Sequence, residues 1–275
     1  MSWYHTFFEN LPTWATYLSG FVSPDEPSNL RLTGPYDDRP EIGVYSHLLG
    51  AARAESFRRT LMASGYTSLA TGGTIAPETP CLTLGEGLRE SSASPPLKGF
   101  SLPSLPPALI PVREAVHQLV RELLEHPRHV VRAQARWEAQ TFRRRDALEA
   151  TLVLENPGLE PVELRSPAAP AAPASLMLTV GRSKARPSQV EQVELSAKDV
   201  VCVDARGAEQ APTEYVVLEP GAQAYFRLKK KVSLGRGSYR GTVTLRAREE
   251  DSAPFARAYG ALLATAGGFD VKGWW

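Results

Sequence analysis

Cysteine is almost absent from this chain: Cys81 and Cys202 are the two among 275 residues. They stand far apart and match no metal-ligand or redox spacing, and a chain of this length can bury a core without staples. Cys202 lies in the apolar run Val200-Val201-Cys202-Val203, where a buried, inert thiol is expected. An excess of one charge is also missing, with 31 basic against 30 acidic residues. Such a balance argues against a nucleic acid or an anionic membrane as partner. No apolar run approaches the roughly 20 residues that a membrane span needs. The start, Met-Ser-Trp-Tyr-His-Thr-Phe-Phe, lacks the basic segment and apolar core of a secretory leader, so a cytoplasmic location is expected.

Chemical signatures are equally scarce. Gly72-Gly73-Thr74 lacks the Gly-Lys-Ser/Thr ending of a phosphate loop. His117, His126 and His129 cluster in sequence, but their spacing is not one helical face and no cysteine or carboxylate completes a ligand set. Neither a metal nor another cofactor is therefore expected. Ser46 and His47 are adjacent without a strand-turn-helix elbow around them. The triplets Arg143-Arg144-Arg145 and Lys229-Lys230-Lys231 read as solvated surface, since no nucleic-acid motif accompanies them.

What the chain does have is a change of period. Phe7, Phe8, Leu11, Trp14, Tyr17, Leu18 and Phe21 recur at spacings of three and four. That pattern predicts an amphipathic helix over about 11–19, with Asn10 as cap and Pro12 in its first turn. Residues 41–64 predict a second helix, closed by Gly65, and 112–126 a third, stopped by Pro127. Between the last two, residues 91–107 hold five prolines and five serines and read as linker. The expected organisation is a helical region over 1–95, a Pro-rich linker and helix over 96–128, and a β domain over 129–275.

After 129 the apolar residues alternate. Val131, Ala133, Ala135 and Trp137 form one face of a strand that should bury Trp137 between sheets; Leu148, Ala150, Leu152 and Leu154 form another. Strands are further expected over 162–164, 176–180, 190–195, 200–204, 215–218, 224–228, 239–247 and 259–264, separated by Gly, Pro and Asp signals. The fold class expected is α+β, a helical N-terminal region followed by an antiparallel β-sandwich.

Two segments carry a resemblance. One is the hairpin Leu152-Val153-Leu154-Glu155-Asn156-Pro157-Gly158 with Pro161-Val162-Glu163-Leu164. The other is Leu218-Glu219-Pro220-Gly221, then Phe226-Arg227-Leu228, then Gly237-Ser238-Tyr239-Arg240-Gly241-Thr242-Val243. Together these resemble bacterial immunoglobulin-like modules. The resemblance implies an immunoglobulin-like sandwich in the C-terminal half and brings no active site with it, because such modules serve many functions. Tyr239 should bury its ring while its hydroxyl bonds near the strand corner.

The tryptophans concentrate at the ends: Trp3, Trp14, Trp274 and Trp275. Terminal rings either dock on the protein's own core or anchor a partner. The function expected is non-catalytic protein–protein interaction, as an inhibitor or immunity protein, an adaptor, or a subunit of a larger assembly. The alternative is a hydrolase with a site within 20–95 that uses Asp37, Asp38, His47 or Glu55, the sandwich being accessory.

Overall fold

A computed structural model describes residues 3–11, 16–22, 28–33, 43–47, 50–70, 81–88, 97–125, 129–171, 174–183, 190–246 and 261–273. The chain divides into two compact units, Met1–Arg128 and His129–Trp275. It is a β-rich protein with almost wholly antiparallel pairing.

The first unit contains β1 (Trp3–Leu11), β2 (Thr16–Val22), β3 (Ser28–Thr33), β4 (Gly43–His47), α1 (Ala51–Ala63), β5 (Cys81–Leu88), β6 (Leu97–Ser101) and α2 (Ile110–Glu125). Its strands run in the order β4-β3-β2-β1-β5-β6, all antiparallel. The helix expected over 11–19 is not there: its residues fall in the end of β1, the start of β2 and a stretch outside the described residues. Aromatic residues favour a pleated surface, and in the ladder Phe7 and Phe8 stand at the register positions of Leu84 and Thr83. The three-and-four spacing came from overlaying two hairpin strands, and Pro12 stands beyond the first of them. Similarly, the helix expected from 41 starts only at Ala51, after Gly50 at a φ of 76°; β4 occupies the residues before it.

The two helices do follow their apolar spacing. Ala54, Phe57 and Leu61 of α1, with Leu109 just ahead of α2 and Val112, Val116 and Leu119 on it, are buried. Arg53 and Glu122 join α1 to α2 by an ion pair at 2.5 Å. The Pro/Ser stretch read as linker contains a strand: β6 lies at the outer edge beyond β5, where neighbouring prolines cost no ladder bonds.

The second unit holds β7 (His129–Trp137), β8 (Thr141–Arg143), β9 (Ala147–Glu155), β10 (Val162–Arg165), β11 (Ser175–Arg182), β12 (Val190–Leu195), β13 (Val200–Val203), β14 (Tyr215–Leu218), β15 (Gln223–Lys231), β16 (Gly237–Arg246) and β17 (Ala261–Lys272). One sheet has the order β13-β15-β9-β7, a second β12-β11-β16-β17-β8, and β10 pairs with β14. Alternation positions the core: Leu148, Ala150, Leu152 and Leu154 of β9, Phe226 and Leu228 of β15, Leu176, Leu178 and Val180 of β11, and Val243 and Leu245 of β16 are buried. The last strand runs to Lys272, well past the expected end at 264. Gly267, at a φ of 76°, accompanies a register shift opposite Gly241 and Thr242 that lets pairing resume.

Trp137 departs from expectation by being half-buried. Its ring covers Gly241, its indole N–H donates to the Gly267 carbonyl at 3.2 Å, and it meets Phe269 and Phe142 edge-on. The face assigned to it is correct, but it stands toward the end of β7, where the core thins.

Local chemistry secures the join between β12 and β13. Asp199 accepts hydrogen bonds from the Ser196 backbone at 2.9 Å, the Ser196 hydroxyl at 2.6 Å and the Lys230 ammonium at 2.7 Å. Burial pushes the Asp199 carboxyl up, but the bonds from Lys230 and Ser196 outweigh it and hold the group below its ordinary value. A depressed folded-state pKa stabilises the fold above the unfolded value of about 3.9, and the gain disappears as pH falls through the folded value. Asp199→Ala should therefore cost roughly 1–2 kcal/mol at neutral pH, and little once the carboxyl is protonated. Urea unfolding at pH 7 and in acid would check this; an equal loss at both would refute it.

Candidate functional site

The site begins with the inner faces of β11 and β12. On β11 the inward alternation Leu176, Leu178, Val180 continues to Arg182, and on β12 Leu195 and Val193 are followed by Glu191. Arg182 lies opposite Tyr239 of β16, and Val180 opposite both Glu191 and Gly241. At this end of the sheet the buried apolar pattern thus gives way to one cation and one anion. The segment joining β15 to β16 adds buried Leu234. The result is a cleft of about 270 Å³ lined by Val180, Arg182, Glu191, Ser233, Leu234, Gly235 and Tyr239.

Its floor is apolar and its rim polar. Tyr239 is buried, and its hydroxyl donates to the Gly235 carbonyl at 2.8 Å, which closes the corner before β16 as its sequence context led one to expect. The Arg182 guanidinium sits 5.9 Å from the Tyr239 ring centre. Gly235 and Gly237 back it: a Cβ on Gly235 would come 3.4 Å from Nη2, and one on Gly237 3.8 Å from Nε. Among the described residues, no carboxylate lies within ion-pair distance of Arg182. Its planar donors stand exposed beside the ring and the two glycines.

The basic triplets differ in this respect. Lys229 pairs with Glu149 at 2.5 Å and Lys230 with Asp199 at 2.7 Å, so two of the three lysines of this triplet are answered within the fold. Asp146 accepts from the Arg143 backbone at 2.8 Å.

The terminal aromatics named from sequence are not gathered by anything described. Trp3 begins β1; Trp14, Trp274 and Trp275 lie outside the described residues. Trp274 and Trp275 do follow closely on Val271, which pairs with Gly237 at the cleft end of the sheet. Of the residues considered for hydrolysis, Asp37 and Asp38 lie outside the described residues, His47 closes β4, and Glu55 faces Arg58 on α1 at 3.7 Å. His126 also lies outside them, and His129 pairs with Glu160 at 3.0 Å. Among the described residues no three of His, Cys, Asp and Glu gather as a ligand set, and no helix is long and apolar enough to cross a membrane. Cys81 and Cys202 are half-buried free thiols, so Cys202 is less enclosed than its apolar neighbours suggested.

The Arg182 cleft was not read from the sequence. The available signal was a broken rule: a charged residue at the next inward position of two adjacent strands.

No protein-family model matches the chain, and no curated protein sequence matches it. Solved structures give partial likenesses. AvmM, which catalyses macrocyclization in alchivemycin A biosynthesis, is 11% identical over 51% of this chain and 88% of its own, with a TM-score of 0.26. The ApaA protein from Bordetella pertussis is 14% identical over 50% of this chain and 88% of its own, at 0.24. A family 123 glycoside hydrolase from Clostridium perfringens is 11% identical over 52% of this chain and 27% of its own, at 0.25.

Proposed function

We propose that this is a non-catalytic protein-recognition protein whose second unit is an immunoglobulin-like module. The observation carrying the reading is the strand order. With β7 taken as strand A, β13-β15-β9-β7 corresponds to D-E-B-A and β12-β11-β16-β17 to C′-C-F-G. The first strand divides between the sheets as β7 and β8, and the Tyr239 hydroxyl bonded to Gly235 occupies the corner between E and F. Modules of this architecture are rigid frames that present recognition surfaces at their ends. Here the end carrying the Arg182 cleft, from which the chain leads into Trp274 and Trp275, is assigned as the partner-binding surface.

A random peptide library displayed against the full chain tests the reading. Recurrent binders should emerge, and Ser233→Glu on the exposed rim or removal of Trp274 and Trp275 should weaken them about tenfold while the melting curves of both variants stay normal. Failure to enrich any sequence over an unrelated β protein would overturn it.

A further inference from the structure

We infer that the Arg182 cleft takes the C-terminal residue of a partner peptide, its carboxylate on the guanidinium and an apolar side chain on the floor. The inference rests on the recognition reading above and specifies the chemistry that this end selects.

The first argument is geometric. The guanidinium stands on the cleft rim, 5.9 Å from the Tyr239 ring centre and beside Gly235 and Gly237, where the lack of a Cβ leaves it room. A guanidinium presents its fork of donors in one plane, the arrangement that meets both oxygens of a carboxylate.

The second argument is charge. Among the described residues no acid pairs with Arg182, a feature it shares with exposed cations such as Arg136, Arg206 and Arg240; what sets it apart is its place on the rim of a cleft with an apolar floor. Glu191 on the same rim disfavours a doubly charged anion such as phosphate. It can instead accept the backbone N–H of a peptide's last residue.

The third is size and polarity. The cleft of about 270 Å³ falls just below the range of small-molecule sites, which suits one residue rather than a cofactor. Val180, Leu234 and the Tyr239 ring offer an apolar floor beside Arg182. A C-terminal residue carries its carboxylate and its side chain on one carbon, so a single group can satisfy cation and floor together.

The probe is acetyl-Gly-Ser-Phe with a free carboxylate, compared with the same peptide amidated at its C-terminus. Each is titrated into the full ¹⁵N-labelled chain, and the amide resonances of Gly235, Gly237 and Tyr239 are followed. The acid should shift these signals saturably with a Kd on the order of 1 mM or tighter. The amide and the Arg182→Gln variant should each bind about tenfold more weakly, in line with a charge-assisted bidentate pair. Arg182 is exposed, so the variant should keep its melting temperature. Equal affinity for acid and amide, or affinity unchanged in Arg182→Gln, would overturn the inference. If library peptides are weakened by Ser233→Glu but need no free carboxylate, this inference falls and the recognition reading stands. If no peptide binds at all, both fall.

Discussion

Asn156→Ala should lower stability by roughly 3–5 kcal/mol, the largest effect expected of any polar substitution considered for this chain. Asn156 is 0% exposed, an extreme for a residue type usually found at the surface. Its Nδ2 donates to the carbonyls of Glu160 and Leu218, each at 2.8 Å, and its Oδ1 accepts from the Gly158 backbone at 2.9 Å. Its backbone is equally committed: the N–H donates to the Ala222 carbonyl at 3.1 Å and its own carbonyl accepts from Gly221 at 2.7 Å. One side chain thus ties the turn after β9 to the end of β14. Alanine would strand two carbonyls and one N–H with little water nearby, each worth about 1–3 kcal/mol, partly relieved by relaxation. Asn156→Asp should be nearly as costly, since it replaces a double donor by a charge facing two carbonyls. Urea unfolding of both variants is the check, and a loss below about 1 kcal/mol for alanine would show that the bonds are replaceable.

The second large effect is expected at Gly241. A Cβ built there would lie 2.2 Å from the Trp137 ring, a distance that atoms do not tolerate, so the ring must leave its place. Displacing it would cost the indole bond to Gly267 and the edge contacts with Phe269 and Phe142. Gly241→Ala should cost about 2–3 kcal/mol, through overpacking and lost aromatic contacts. Trp137→Ala alone should cost about 3 kcal/mol, the low end for a large aromatic because the ring is half-buried. The combination is the informative measurement. With the ring gone the clash is gone, so the double variant should be no less stable than Trp137→Ala, a coupling of at least 1 kcal/mol. Additive losses would mean that Gly241 is needed for its backbone conformation instead.

How far the sequence revealed this depends on what decides each element. Period-two alternation was sufficient for β9, β11 and β16, because both neighbours of each strand impose the same inward face. The strand ends were less legible: β17 runs on to Lys272 because the irregularity at Gly241 and Gly267 restores register, and that is a property of two strands together. The aromatic segment of β1 and β2 misled for the opposite reason. Six of the seven apolar residues fell at helical spacings by summing two strands, and only pairing partners as distant as Leu82 and Leu84 separate the two patterns. The Arg182 cleft brings together β11, β12, β16 and the segment before β16, so no single stretch could announce it. Tyr239 was legible because its corner is local, its hydroxyl reaching a carbonyl four residues back.

The pairing of β8 with β17 has a mechanical consequence. Thr141, Phe142 and Arg143 run parallel to Asp270, Val271 and Lys272, and the Asp270 N–H also donates to the Gln140 carbonyl at 2.9 Å. One of these strands follows the entry to the second unit and the other precedes its exit. Tension applied along the chain would draw β8 backward and β17 forward along the same axis. The backbone bonds between them would then be sheared as a group, where an antiparallel hairpin pulled at its open end gives way one bond at a time. The covered ring of Phe142, wedged edge-on against Phe269 at 5.4 Å, would have to slide with them. A unit pulled by its own chain has its most resistant seam at this parallel pair.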